Sequence, residues 1–258
     1  MEWGKTKNIL ILVLVIVNIF LYINMQRITD QKLSLPEQYV ADALAKLRKD
    51  GITVKNEAIP TRRLGLPIAE ISSRETLYSI ARNALMDKNL IPIISGEGVT
   101  FSNENGIFIL KSETDFLFIP ESNRPDFKQI LEASGFRKSN YVVDESGTIR
   151  FVIGGVDVEG CEVVWRDGEY SGTIFSVYDA KRTFVDLIDP VNALLKFTEY
   201  AKANDLGQQA ITGFTSVYLI GKEGFFTMVT AYPTYKITSN SEIFLVDAVT
   251  GEITAGGL

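Results

Sequence analysis

Apolar positions divide the chain into one unbroken block and a long alternating remainder. From Ile9 to Ile23 every residue except Asn18 is apolar or aromatic. A helix drawn through this block has no polar face, which is the pattern of a segment surrounded by lipid. Ile9–Met25 corresponds to roughly 25 Å of helix, near the lower limit for crossing a bilayer. Trp3 and Tyr22 stand near its two ends, where interfacial aromatic rings are favoured. Tyr22-Ile23-Asn24-Met25-Gln26 offers no small-residue cleavage site, and no cysteine follows the run. The pattern predicts an uncleaved signal anchor.

Beyond the anchor the period changes repeatedly. Residues 26–35 are polar without a clear period and read as a tether. Val40, Ala43, Leu44 and Leu47 recur at helical spacing between Pro36 and Gly51, and Ile52–Ile59 then alternates like a strand. Arg74–Met86 reads as a second helix, capped by Ser72 or Ser73, with Leu77, Ile80, Ala81, Ala84 and Leu85 as its stripe. A hairpin is expected from Val99–Ser102 and Ile107–Lys111 around Asn103-Glu104-Asn105-Gly106, followed by a strand at Phe116–Ile119. Asp126–Ser134 reads as a short helix stopped by Gly135, and Tyr141–Val143 as extended. Thr148–Ile153, Cys161–Arg166 and Thr173–Tyr178 form a meander of strands. Asp189-Pro190 opens another helix, to about Asn204. The remainder reads as strands at Thr212–Ile220, Phe225–Ala231, Tyr235–Thr238 and Glu242–Asp247, with Gly251 in a final turn.

Helix followed by antiparallel meander, twice over, is an α+β pattern. The expected organisation is a cytoplasmic stub (1–7), a transmembrane anchor (8–25), a tether (26–35), a first α+β lobe (36–145) and a second (146–258). Lys5 and Lys7 precede the anchor, and the stub is too short to hold a domain. Residues 26–258 are therefore expected outside the cell, with the N-terminus in the cytoplasm.

Composition narrows the chemistry. The chain of 258 residues has no histidine and one cysteine. Hydrolases built on a histidine base, His-ligated zinc sites, intrachain disulfides and Cys-rich metal centres are thereby excluded. The net charge of −6, from 26 basic and 32 acidic residues, argues against a nucleic-acid partner. No cofactor is expected. Two-carboxylate hydrolysis survives these exclusions, as does an extracellular ligand-binding or assembly role, although no motif singles out a carboxyl pair. Whether a small molecule binds is not legible in the residues.

Few side chains stand out. Asn18 places an amide in mid-span, where a facing helix can satisfy it. Ile11, Leu14, Val15, Asn18, Leu21 and Tyr22 share one helical face and form the candidate partner-binding surface. Trp3, Lys5 and Lys7 are read as interfacial and topological anchors. Cys161 alternates with Val163 and Trp165 and reads as a buried small hydrophobe. Asp247 and Glu252 flank a turn and fall short of a calcium loop. Gly154-Gly155 and Gly256-Gly257 lack the strand–loop–helix setting of a phosphate loop.

The start Met1-Glu2-Trp3-Gly4-Lys5-Thr6-Lys7-Asn8-Ile9, followed by an apolar run containing Asn18, resembles that of the YycI (WalI) family. Pro233-Thr234-Tyr235-Lys236-Ile237 and Phe244-Leu245-Val246-Asp247-Ala248-Val249-Thr250-Gly251-Glu252 look like that family's PepSY-like closing hairpin, with Tyr235 where the family pattern would place tryptophan. The resemblance covers the two ends and the overall layout, while the middle carries no matching motif. It implies a non-enzymatic, single-span accessory protein of a Gram-positive cell-wall sensor histidine kinase (YycG/WalK-like). It also implies a homologous YycH-like partner, contacts largely through transmembrane helices, and a PepSY-like second lobe.

Overall fold

The computed structural model describes residues 3–55, 63–72, 74–95, 98–112, 114–121, 125–221 and 228–256. The fold is α+β. Five α-helices accompany one large mixed sheet among these residues.

Helix α1 (Trp3–Leu33) runs unbroken for 31 residues. The expected tether is thus helical as far as Leu33. Gln26–Leu33 contains neither glycine nor proline, so nothing in its backbone interrupts a helix already nucleated upstream. Helix α2 (Glu37–Lys49) follows after Ser34-Leu35-Pro36. It buries Ala43 and Leu47 and ends before Gly51, whose φ of +82° suits a left-handed stop. Strand β1 (Ile52–Val54) begins where alternation predicts. The strand expected to continue to Ile59 runs into residues outside the described ones.

The remaining elements are β2 (Ile68–Ser72), α3 (Arg74–Ala84), β3 (Ile93–Ser95), β4 (Gly98–Asn103), β5 (Gly106–Leu110), β6 (Asp115–Pro120), α4 (Phe127–Ala133), β7 (Tyr141–Val143), β8 (Ile149–Ile153), β9 (Val156–Arg166), β10 (Glu169–Thr173), β11 (Ser176–Thr183), α5 (Pro190–Ala203), β12 (Gln209–Ile220), β13 (Met228–Ser239), β14 (Glu242–Asp247) and β15 (Ile253–Gly256). The predicted stripe of α3 is buried throughout, from Leu77 to Leu85. Its expected serine cap cannot be placed, because Ser73 and the side chain of Ser72 lie outside the described residues. Asp126 caps α4 by accepting the Lys128 N–H at 3.1 Å, and Asp189 caps α5 by accepting the Asn192 N–H at 2.9 Å, with Pro190 in the first turn.

Two expected strands are cut differently. Instead of one strand at Thr173–Tyr178 there are two, β10 and β11, and the buried Ile174 and Phe175 carry the chain between them. Tyr235–Thr238 and the described end of the preceding strand are one element, β13, with Pro233 inside it. That proline lacks an N–H, yet it sits where the strand's second neighbour changes from β2 (Met228–Ala231) to β14 (Thr234–Ser239), so the missing donor breaks no continuous ladder.

The main path of the sheet is β11-β2-β13-β12-β9-β10-β6-β5-β4-β3. β14 and β15 extend from β13, and β8 and β7 extend from β9. β1 and β9 each pair with β12 in parallel, whereas the other pairings are antiparallel. Pairing runs across position 145/146, since β7 and β8 are partners. It also carries β1 and β2 to strands far down the chain, with Ile52 opposite Gln209 and Ala69 opposite Ala231.

β9 joins the two halves of this sheet, and glycine makes that possible. Gly160, at φ +74°, lies where the register against β8 shifts, in the manner of a bulge that re-aims a strand. Gly172 permits close approach, because a Cβ there would lie 1.9 Å from the Glu162 carbonyl oxygen. Inside, one core gathers Leu77, Ile80, Phe101, Phe108, Phe116 and Tyr218. Stacked rings continue through it, Phe108 to Phe116 at 5.2 Å and Phe116 to Phe127 at 5.5 Å. A second core joins Leu47, Ile52, Leu194, Phe197, Tyr235 and Phe244. Leu35 packs with Ala43 and Val191 beside it.

Candidate functional site

The predicted contact residues lie on α1 and keep the shared face that helical spacing gives them. Ile11, Leu14, Val15, Leu21 and Tyr22 are all exposed, at 49–60%. Positions 11, 14, 15, 18, 21 and 22 span about 120° of the helix circumference at 100° per residue. The opposite side is equally apolar and equally open, with Leu12 at 59%, Ile16 at 57% and Phe20 at 63%. In water this arrangement would leave a large apolar surface uncovered, which a monomeric soluble domain rarely does.

Asn18 engages one amide N–H within its own helix, donating from Nδ2 to the Leu14 carbonyl at 2.9 Å. This meets part of the amide's hydrogen-bonding demand without a second chain. Lys7 is exposed. Trp3 and Lys5 stand on the first turns of α1, but their side chains lie outside the described ones. Among the described residues no helix is long and apolar enough to cross a membrane. The apolar stretch of α1 whose side chains are described consecutively, Leu10–Met25, stops short of the ~18 residues a span needs.

The far end of α1 is tied to the folded body. The Leu33 carbonyl accepts the Arg63 N–H at 2.6 Å, and Leu35, two residues on, is 6% exposed between α2 and α5. Those two helices are then joined at both ends. The Tyr39 hydroxyl approaches the Asp189 carboxylate at 3.4 Å, and Lys202 meets Asp50 at 2.7 Å. The hydrogen bond from Lys202 holds the Asp50 carboxyl below its usual acidity range, with further help from the charges of Lys202, Lys46 and Lys49. Burial, reinforced by the Asp189 charge and hydrogen bond, pushes Tyr39 up. Sequence periodicity signalled none of these contacts. The unbroken run from Gln26 to Leu33, free of glycine and proline, is the available sign that α1 continues beyond its apolar part.

The other singled-out residues have structural work. Cys161 is 3% exposed, and burial drives its thiol pKa upward, the opposite of an activated nucleophile. Asp247 accepts the N–H groups of Val249 and Thr250 at 2.6 and 3.0 Å, closing the turn before β15. Gly154 and Gly155, both at positive φ, make the turn between β8 and β9. Gly256 ends β15, and Gly257 lies outside the described residues.

Three clefts are formed by described residues. One of about 230 Å³ is lined by Leu77, Tyr78, Val99 and Leu110. Another of about 280 Å³ lies by Asp126, Lys128 and Tyr170, and a third of about 240 Å³ by Asp50, Thr198 and Lys202. The Asp144 carboxyl is held low by a hydrogen bond from the Ser146 hydroxyl and by the Thr148 and Ser146 N–H groups. Asp50 and Asp144 are thus shifted away from the raised pKa that a general acid requires. Among the described residues no group of acids, cysteine or histidine is arranged to hold a metal.

No protein-family model matches this chain, and no curated protein matches it. Among solved structures, it is similar to an uncharacterized protein from Eubacterium rectale ATCC 33656. Identity is 8% and the TM-score 0.45, over 81% of this chain and 92% of that one.

Proposed function

We propose that this chain is a membrane-anchored, non-enzymatic accessory protein that adjusts a sensor histidine kinase of cell-wall homeostasis. In this reading α1 crosses the membrane with its N-terminus in the cytoplasm. The rest, with a PepSY-like C-terminal region, stands outside the cell. The partners are a kinase of the YycG/WalK type and a YycH-like homologue. The observation that carries the reading is a contrast within one molecule. The body buries most of its large apolar residues in cores, with exposed exceptions such as Ile91, Ile94 and Phe184, while α1 presents apolar side chains on every side from Leu10 to Met25. The resemblance of the first residues and of the closing hairpin to the YycI family supplies the identity of the partners.

The mechanism is differential binding. A tethered protein shifts a two-state kinase only to the extent that it binds one state better than the other. A bias of tenfold needs about 1.4 kcal/mol of such difference, which a few helix–helix contacts in lipid can supply.

The test replaces residues 8–25 by an unrelated apolar span of equal length in the full chain. Membrane insertion is expected to persist, while co-purification with the kinase and the change in kinase output are lost. Retention of both with the foreign span would refute the reading.

A further inference from the structure

We propose that α1 and the extracellular body form one rigid lever, so that rotation or tilt of the membrane segment is delivered to the α2–α5 pair rather than absorbed by a tether. The proposal rests on the reading of α1 as a membrane segment and adds how that segment is coupled to the body.

Four observations carry it. First, α1 is continuous from Trp3 to Leu33, so the helix rises about 12 Å beyond Met25 without a hinge. Second, its last turn is bonded to the body through the Leu33 carbonyl and the Arg63 N–H. Third, only Ser34, Leu35 and Pro36 separate α1 from α2. Of these, Leu35 is buried against Ala43 and Val191, Pro36 has a fixed φ of −59°, and its carbonyl accepts the Val40 N–H at 3.2 Å. Fourth, α2 and α5 are held to each other at both ends, by Tyr39 with Asp189 and by Asp50 with Lys202. Motion of α1 therefore meets no soft joint before it reaches α5, whose Leu194 and Phe197 pack in the core with Tyr235 and Phe244 of β13 and β14. Coupling of this kind needs packed elements that move as bodies.

The experiment measures spin-label distances in the full chain in lipid nanodiscs. One label is placed by Leu21→Cys and the other by Lys46→Cys on the outer side of α2. Cys161 is buried and stays unlabelled. A control pair within the body combines Lys46→Cys with Lys128→Cys. The lever predicts one narrow distance peak, no more than about twice the width of the control. It also predicts at least a twofold broadening when Ile28→Gly, Thr29→Gly and Asp30→Gly are introduced together. A broad distribution in the parent chain would overturn the proposal, as would a narrow one that survives the triple glycine change. Because the readout is a distance, it stands apart from kinase output. Loss of the regulatory reading in the span-exchange test leaves the peak width unchanged.

Discussion

Helices α1 and α5 draw on the same apolar residues and end in opposite environments. α5 places Val191, Leu194, Phe197 and Ala201 at 0–4% exposure, under a stripe that leaves Lys196, Glu199 and Lys202 on the outside. α1 leaves Leu10 to Met25 open, with exposures from 46% to 63% for its large hydrophobics. The difference is one of periodicity. A helix with one apolar face needs a protein core beneath that face, whereas one apolar all round needs to be surrounded, by a large core or by lipid. Under the proposed function, the same side chain should therefore carry folding stability on α5 and association in lipid on α1.

The largest break in this comparison comes from equal truncations. Phe197→Ala empties a site at 0% exposure that touches the Phe244 ring at 4.9 Å, and is expected to cost about 3–5 kcal/mol. Phe20→Ala, at 63% exposure, removes the same atoms from α1 and is expected to leave the unfolding of the body unchanged. Urea titration of both full-length variants in detergent, followed by the near-ultraviolet signal of the body, measures the difference. Equal losses would erase the distinction between the two helices.

Titration gives a smaller effect on the body. Burial, then the hydrogen bond to Glu132, raises Tyr141 to about 12, and its hydroxyl donates to Glu132 at 3.0 Å. The folded state thus resists ionisation that the unfolded chain accepts near 10. This contribution is complete below pH 10 and is lost as pH rises through about 12, an effect on the order of 2 kcal/mol. Tyr141→Phe should flatten the alkaline limb of stability against pH relative to the parent. An unchanged limb would show that the phenol is not shielded.

The joint between the two helices is weaker still. Asp189→Ala removes both the cap of α5 and the acceptor for Tyr39, with an expected cost of about 1 kcal/mol, read as a fall in the urea midpoint at constant slope. Asp189→Asn keeps the cap and should recover most of it. Failure of that rescue would mean that the carboxylate charge, rather than the cap, is what matters.

How far these features were legible depended on distance along the chain. Local signals held: the stripes of α2, α3 and α5, the Asp126 and Asp189 caps, and the hairpin closed by Asn103 and Gly106 all follow from spacing and turn chemistry. Pairing between distant segments was silent, because alternation says that Ile52–Val54 is a strand but not that its neighbour is Gln209–Ile211. Strand breaks also misled where a residue has two effects. Phe225–Ala231 and Tyr235–Thr238 read as separate strands on either side of Pro233, yet its place at a change of neighbours lets β13 run through it. In α1 the hydrophobic run ends near Met25, while the helix continues to Leu33, as far as the backbone stays free of glycine and proline.

The smallest expected effect concerns Asn18, and it sharpens what the anchor contributes. An amide in mid-span invites the view that it alone specifies a partner. Its Nδ2 already donates to the Leu14 carbonyl, so one N–H of the amide is engaged within α1 before any facing helix arrives. Interhelical bonds of this type average about 0.6 kcal/mol, which is roughly threefold in affinity. If α1 recognises a kinase as proposed, Asn18→Leu should weaken co-purification with it by about that factor, whereas exchange of the whole span is expected to abolish it. If the single change were to match the full exchange, recognition would reside in one amide, and the surrounding apolar face of Ile11, Leu14, Val15, Leu21 and Tyr22 would be packing that any span could provide.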